Sequence, residues 1–274
     1  MSYNYKISVL TPSFNSKAYI EQAIQSVLDQ NYPEFEHIIM DGGSSDGTIE
    51  TLKQYPHLIW RSEKDRGQSH AINKAFELSR GDIIVVLNAD DFFEPGAFEA
   101  VNSIYSSSQS INFLVGGCNL LGENDILIKR QDPIKSDLSL WGLLHWWWGY
   151  NHPLNPSCYF YRREVQSVCG PFNEDNHDTM DYEFLLNCVC KYQFDKTSII
   201  LGNYRYLPGT KTYKNNEKGN LNVPLSYSRY YWKYLPVLKQ LKITIDFLDV
   251  TKIKPLLYKL KLIDDKSFYS FVRE

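Results

Sequence analysis

The 274-residue sequence predicts an α/β fold, a mostly parallel sheet flanked by helices, with a helical C-terminal extension. Three observations carry that prediction. Short apolar runs alternate with segments of helical periodicity through the first hundred residues, the pattern of repeated strand–helix–strand units. The run from Ile83 to Leu87 is apolar at every position, as expected of a strand covered on both faces. Polar clusters follow three of the runs, at 11–15, 41–46 and 88–91. In an open α/β sheet the ligand crevice lies beyond the carboxyl ends of the strands, so three such clusters point to one site.

The elements follow in order. Residues 6–10 read as a first strand that ends at Thr11-Pro12, since proline does not continue a central strand. From Lys17, Ile20, Ala23, Ile24, Val27 and Leu28 recur at helical spacing, with Asn15 or Ser16 as the expected cap. Phe35 to Met40 is a second strand, stopped by the turn sequence Asp41-Gly-Gly-Ser-Ser-Asp46-Gly47 before a short helix from Thr48. Leu58 to Trp60 reads as a third strand, and Ala71, Ile72, Ala75 and Phe76 mark a helix closed by Gly81. The strand at 83–87 then runs into Asn88-Ala-Asp90-Asp91.

Composition excludes several classes. Aromatic residues make up 15% and the net charge is only −3, which is unlike a disordered chain. No apolar run is long enough for a spanning helix, and the first residues lack the basic and apolar segments of a signal peptide. The five cysteines show no C-x-x-C spacing, so reduced thiols and a cytoplasmic location are expected. Residues 1–220 carry a formal charge of −8 and residues 221–274 carry +5, a distribution that argues against nucleic-acid binding. The basic tail alternates tyrosines, leucines and lysines as two amphipathic helices would. Docking on the body, dimerisation and peripheral contact with the inner face of the membrane are all open to it.

Asp90 and Asp91 are adjacent acids at the mouth of a buried strand. They repel unless a cation lies beside them, and oxygen ligands suit Mg²⁺ or Mn²⁺. The other reading makes Asp91 the cap of the following helix. A P-loop sequence and a G-x-G-x-x-G after the first strand are both absent, so P-loop NTPases and dinucleotide oxidoreductases find no support.

Four stretches now identify a resemblance. They are Val9-Leu-Thr-Pro-Ser-Phe-Asn15, Ile39-Met-Asp-Gly-Gly-Ser-Ser-Asp-Gly-Thr48, Asp65-Arg-Gly-Gln-Ser-His-Ala-Ile-Asn-Lys74 and Leu87-Asn-Ala-Asp-Asp-Phe-Phe-Glu-Pro95. In this order the chain resembles the inverting glycosyltransferases of family 2, with the GT-A fold. The likeness returns at Asn155-Pro-Ser-Cys-Tyr-Phe-Tyr-Arg-Arg163, at Gly170-Pro-Phe-Asn173, at Met180-Asp-Tyr-Glu183 and, faintly, at Tyr204-Arg-Tyr-Leu-Pro-Gly-Thr-Lys-Thr212. The resemblance implies a glycosyltransferase domain over 1–220, divided at 116 into a nucleotide-sugar half and an acceptor half, followed by the extension at 221–274.

It also implies roles. Thr11, Pro12 and Asn15 form the loop under the nucleotide, and Asp41 approaches the base or ribose. Asp65, Gly67 and Gln68 belong to the segment closing over the phosphates, and Asn88, Ala89 and Asp90 replace the family's D-x-D. Asp90, with Asp91 beside it, holds a divalent cation (Mn²⁺ or Mg²⁺), and Asp181 is the general base. Asp181 is also placed to cap a helix. The expected reaction moves a sugar from a nucleoside-diphosphate donor, first of all a UDP-sugar, to a glycan or lipid-linked hydroxyl in surface polysaccharide biosynthesis. Single additions are expected, because the Q-x-x-R-W motif of processive synthases is missing. The aromatic stretch before Asn155 suggests an acceptor platform of Trp147, Trp148, His152 and Asn155. Gly42, Asn88 and Leu207 stand where relatives often carry an acid, an acid and a histidine. A nucleotidyltransferase and a non-catalytic sugar-nucleotide or glycan-binding module are the competing functions.

Overall fold

The computed structural model describes residues 5–144, 155–208, Tyr213 and 231–237. Four strands, β1 (Ile7–Ser13), β2 (Phe35–Asp41), β3 (Ile59–Ser62) and β4 (Ile83–Val86), lie parallel in the order β3-β2-β1-β4. Between them run α1 (Ile20–Leu28), α2 (Thr48–Leu52) and α3 (Gln68–Leu78). The second half of the chain extends this sheet rather than building another. After β5 (Phe92–Phe93) and α4 (Ala97–Ser107) come β6 (Phe113–Leu121), β7 (Leu127–Gln131), the one-turn helix α5 (Leu140–Leu144), β8 (Tyr159–Arg162), α6 (Arg163–Cys169), α7 (Met180–Val189) and β9 (Phe194–Arg205). β8 pairs antiparallel with β4, β6 continues from β8, β9 lies parallel to β6, β5 pairs antiparallel with β9, and β7 flanks β6. The division expected at residue 116 therefore falls inside β6, and both halves share nine strands.

Why β4 is apolar at every position is visible in the core. Ile84 and Val86 face a cluster that includes Ala71 and Ile72 of α3, Val165 of α6 and Phe184 and Leu185 of α7. Ile83 and Val85 face the opposite cluster, with Ala23 and Val27 of α1 and Phe98 and Val101 of α4. All four are fully buried, each contributing about 1.5–3 kcal/mol by leaving water. The two-residue alternation of a strand thus feeds helices on both faces.

Three boundaries differ from the sequence reading. β1 passes through Pro12 to Ser13, pairing Pro12 with Met40. Its ladder with β4 stops at Leu10, so at Pro12 it has a neighbour on one side only, an edge position that proline tolerates. α1 begins at Ile20 with Tyr19 at its N-cap, and neither Asn15 nor Ser16 caps it through a side chain. β3 runs two residues beyond Trp60, which brings Ser62 to the end of β2.

Among the described residues no helix is long and apolar enough to cross a membrane. Most of the extension expected at 221–274 lies outside them. Where it is described, Tyr231 and Leu235 are buried in the cluster with α7, and the Tyr231 hydroxyl donates to Asn187 Oδ1 at 2.6 Å.

Candidate active site

The first two polar clusters meet directly, and the third is tied to them through the 63–68 segment. The β1 and β2 ends are stapled side chain to backbone. Asn15, in the left-handed region at φ 49°, donates its N–H to Ser44 Oγ (2.7 Å) and accepts from Ser45 N–H at Oδ1 (3.0 Å). Ser16 and Lys17 donate their N–H groups to Thr48 Oγ1 and Asp46 Oδ2, both at 2.9 Å. The loop residues thus bind the neighbouring loop instead of capping α1.

Asp41 is the knot of this arrangement. It is buried, and its carboxylate accepts from Ser13, Gly43, Ser44 and Ser62, with Ser44 Oγ at 2.5 Å and Ser62 Oγ at 2.6 Å. Thr11 is also wholly buried, and its Oγ1 lies 2.9 Å from Nε2 of His37. The Thr11 and Asp41 side chains therefore shape the loop walls from within, while Asn15 is exposed at the rim.

The third and fourth segments join through Asp41 and Gln68. Glu63 N–H donates to the Asp41 carbonyl at 2.9 Å. A Cβ on Gly42 would lie 3.0 Å from Asp65 Oδ2, so the missing side chain makes room for that acid. Asp65 Oδ1 accepts from Gly67 N–H (2.9 Å), where φ is 114° and a side chain would be strained. Gln68 opens α3 and donates Nε2 to Asn88 Oδ1 at 2.8 Å. That bond ties the start of α3 to the turn after β4.

The two acids of that turn behave differently. Asp91 is 1% exposed and its oxygens are already occupied. Oδ2 accepts from Asn88 Nδ2 (2.9 Å) and Asn155 Nδ2 (2.7 Å), and Oδ1 from Arg205 N–H (3.1 Å). Burial and the adjacent Asp90 push its carboxyl up, against the pull of those bonds. Asp90 is half-buried, and burial raises its proton affinity as well. Asp90 thus lies half-exposed in the turn after β4, while Asp91 is the buried anchor beside it. Asp91 does not cap the next helix; β5 intervenes and Gly96 is the N-cap of α4.

Asn155 is corrected from the acceptor side to this corner. It is 1% exposed, with its amide held between Asp91 and Ser157 N–H, and cannot face an acceptor from there. Trp147, Trp148 and His152 lie outside the described residues. Asp181 is not the N-cap of α7; Thr179 is. Asp181 sits in the first turn, where the helix dipole favours a carboxylate, and its Oδ1 accepts from Tyr182 N–H at 2.8 Å. It lines an apolar cavity with Val86, Pro156, Tyr159, Tyr161, Phe172 and Phe184. Val86 ends β4, so the cavity lies beside the strand that delivers Asn88 and Asp90.

Sequence reasoning missed Arg205, the linking role of Asn88 and the anchoring role of Asn155. The sequence Asn155-Pro-Ser carried a detectable signal for the last, an Asx turn onto Ser157.

Residues 8–107 match the family described as glycosyl transferase family 2. These residues are a family 2 glycosyltransferase domain. The glycosyltransferase TuaG of Bacillus subtilis, named for teichuronic acid biosynthesis, is 39% identical over 99 residues. That stretch is 34% of this chain and 39% of TuaG, so the chain spans well under half of that relative. Among solved structures, S. aureus TarS (residues 1–349) in complex with UDP-GlcNAc aligns with a TM-score of 0.68 at 17% identity, covering 97% of this chain and 79% of TarS. The mannosyltransferase PcManGT of Pyrobaculum calidifontis, in complex with GDP-Man and Mn²⁺, aligns at 0.62 and 16% identity over 98% and 85%. The sheet and its helices are those of GT-A glycosyltransferases.

Proposed function

We propose that this family 2 chain is an inverting glycosyltransferase that moves a sugar from a nucleoside diphosphate, UDP first, to a hydroxyl of a glycan or lipid-linked acceptor in surface polysaccharide synthesis. The observation that carries the reading is the set of bonds at the carboxyl ends of β1, β2 and β4: Asn15 to Ser44 and Ser44 to Asp41, the 63–68 segment to the Asp41 carbonyl, and Gln68 to Asn88. That is the crevice where such sheets bind nucleotides. TuaG's name and the UDP-GlcNAc on TarS support the glycan setting and the donor class.

Rims and walls take separate parts. Asn15 and the 42–46 loop form one rim for the nucleoside, and Asp65, Gly67 and Gln68 form the other. Asp90 suits a hard cation. It offers an oxygen ligand at the strand mouth, and burial leaves its negative charge poorly compensated. Among the described residues no group of three or more His, Cys, Asp or Glu side chains could cage a metal, so phosphate and water would complete the shell. Asp90 would hold Mn²⁺ or Mg²⁺, which when bound supplies Lewis-acid neutralisation of the departing diphosphate. Asp181 accepts the acceptor hydroxyl's proton as that oxygen attacks from the face opposite the diphosphate, and the attack inverts the anomeric centre.

The test is thermal stability against UDP, GDP, CMP and the corresponding sugar donors, each with and without Mn²⁺. A selective ligand at 100 times its dissociation constant stabilises by about 2.7 kcal/mol. A shift confined to one diphosphate and its sugars, larger with Mn²⁺, supports the reading and names the donor class. No shift with any of them removes it and favours a glycan-binding module.

A further inference from the structure

At the end of β9 a guanidinium is buried in the body of the protein. Arg205 is 4% exposed. A buried charge persists only when paired and hydrogen-bonded, and every arm of this one is engaged. Nε and Nη2 take both oxygens of Asp125, at 2.6 and 2.9 Å. Nη2 also donates to Gln22 Oε1 at 2.5 Å. The group lies over the Phe92 ring, 4.6 Å from its centroid, with Tyr19 at 5.4 Å. The remaining arm, Nη1, donates to the backbone carbonyl of Asp90 at 2.8 Å, and the backbone N–H of Arg205 donates to Asp91 Oδ1 at 3.1 Å.

We propose that Arg205 is a positioning residue for the metal and diphosphate corner, its guanidinium fixing the main chain of Asp90 while its backbone N–H holds the side chain of Asp91. The inference rests on the donor-site reading above. The 88–91 turn is held at three points. Gln68 grips Asn88, Asn155 grips Asp91, and Arg205 alone reaches the backbone of Asp90 among the bonds described. The Asp90 carbonyl is one bond from the Cα that carries the carboxylate, so Nη1 anchors the backbone from which that carboxylate projects. Asp125 in turn aims the guanidinium. It reaches Arg205 from a hairpin tip where Asn124 and Asp125 both have positive φ (56° and 57°), a conformation that costs energy in non-glycine residues. Lysine cannot substitute, because one ammonium has no planar fork with which to span Asp125 and the Asp90 carbonyl together.

The experiment is calorimetric titration of UDP, with GDP in parallel, into the full chain in EDTA and again in Mn²⁺. Wild type, Arg205→Lys, Asp125→Asn and the control Arg163→Lys are compared. Arg163 is bonded to Gly81 and Ser79, at the other end of the sheet. Arg205→Lys and Asp125→Asn are expected to bind nucleotide in EDTA within about twofold of wild type, and to lose roughly tenfold or more of the Mn²⁺-dependent gain. Arg163→Lys keeps both values. Should Arg205→Lys fail to fold by circular dichroism, Asp125→Asn decides, since its side chain is 40% exposed and its loss spares the core. An intact Mn²⁺ gain in the folded variants overturns the proposal, as does an equal loss with and without metal, which marks a purely structural arginine. A wild type that binds neither nucleotide, or gains nothing from Mn²⁺, defeats the donor-site reading itself, and the inference falls with it.

Discussion

The side-chain amide of Asn73 trades two hydrogen bonds with the backbone of Phe172: Nδ2 donates to its carbonyl and Oδ1 accepts from its N–H, each at 2.9 Å. Both residues are buried. Asn73 lies on α3, whose first residue holds Asn88, and Phe172 lines the cavity of Asp181. Close by, Arg66 Nε donates to Glu174 Oε2 at 2.9 Å. The segment at 66–73 is therefore bolted to the segment that leads into α7, which carries the proposed base Asp181.

Asn73→Ala leaves a buried N–H and carbonyl without partners, at about 1–3 kcal/mol for each group. Urea unfolding is expected to show a loss of roughly 2–6 kcal/mol on that basis. Under native conditions, UDP affinity should hold while UDP release from the donor sugar slows. Equal loss of both would show that the pair serves folding alone.

Asp181→Asn tests the base. The substitution keeps an oxygen for Tyr182 N–H but removes the proton acceptor. Positioned general bases contribute about 10²–10⁴-fold, so UDP release from the donor sugar should fall at least about 100-fold. UDP binding, measured calorimetrically, should stay within about twofold of wild type. Wild-type release by the variant would take the base role from Asp181.

Gly42 is expected to matter for nucleotide binding rather than for stability. A Cβ there would crowd Asp65 Oδ2 at 3.0 Å, and Asp65 would have to give ground and loosen its bond to Gly67 N–H. Gly42→Ala should therefore change thermal stability by less than about 1 kcal/mol and weaken nucleotide binding several-fold. A variant binding like wild type would show that Asp65 does not need its observed place.

The parallel half of the sheet was legible because its signals are local. Each strand and helix declares itself within ten residues, and the polar residues at 11–15, 41–46 and 88–91 stand where the strands end. The antiparallel half was not. β5 has two residues, and its partners Asn203 and Gly202 lie more than 100 positions away. β6 carries Gly116-Gly117 because added Cβ atoms would meet Leu201 and Ile200 of β9 and the Gln131 carbonyl of β7, a reason found only in strands distant along the chain. Arg205 illustrates the limit at the site. An arginine ending a strand reads as a solvent-facing residue, and only the fold brings Gln22, Asp90 and Asp125 around it. Asn155 was misread for the same reason, since Asp91, its partner, is 64 positions away.

His37 should make the fold acid-sensitive. It is fully buried on β2 beside the end of β1, with Nε2 at Thr11 and no partner for Nδ1 among the described residues. Burial, and next the charge of His57, lower its pKa from 6.5 to about 3. The folded state thus keeps the ring neutral, while the unfolded chain takes up a proton below pH 6.5. The stability is fully present above 6.5 and is lost progressively as pH falls toward 3. At pH 5 the loss from this one residue should be about 2 kcal/mol, at 1.36 kcal/mol per pH unit. His37→Gln keeps a hydrogen-bonding group near Thr11 without the titration. Urea unfolding of both proteins between pH 7 and pH 5 should show the variant less stable at pH 7 and losing less on acidification. Parallel curves would mean that the imidazole is protonated equally in the folded and unfolded chains.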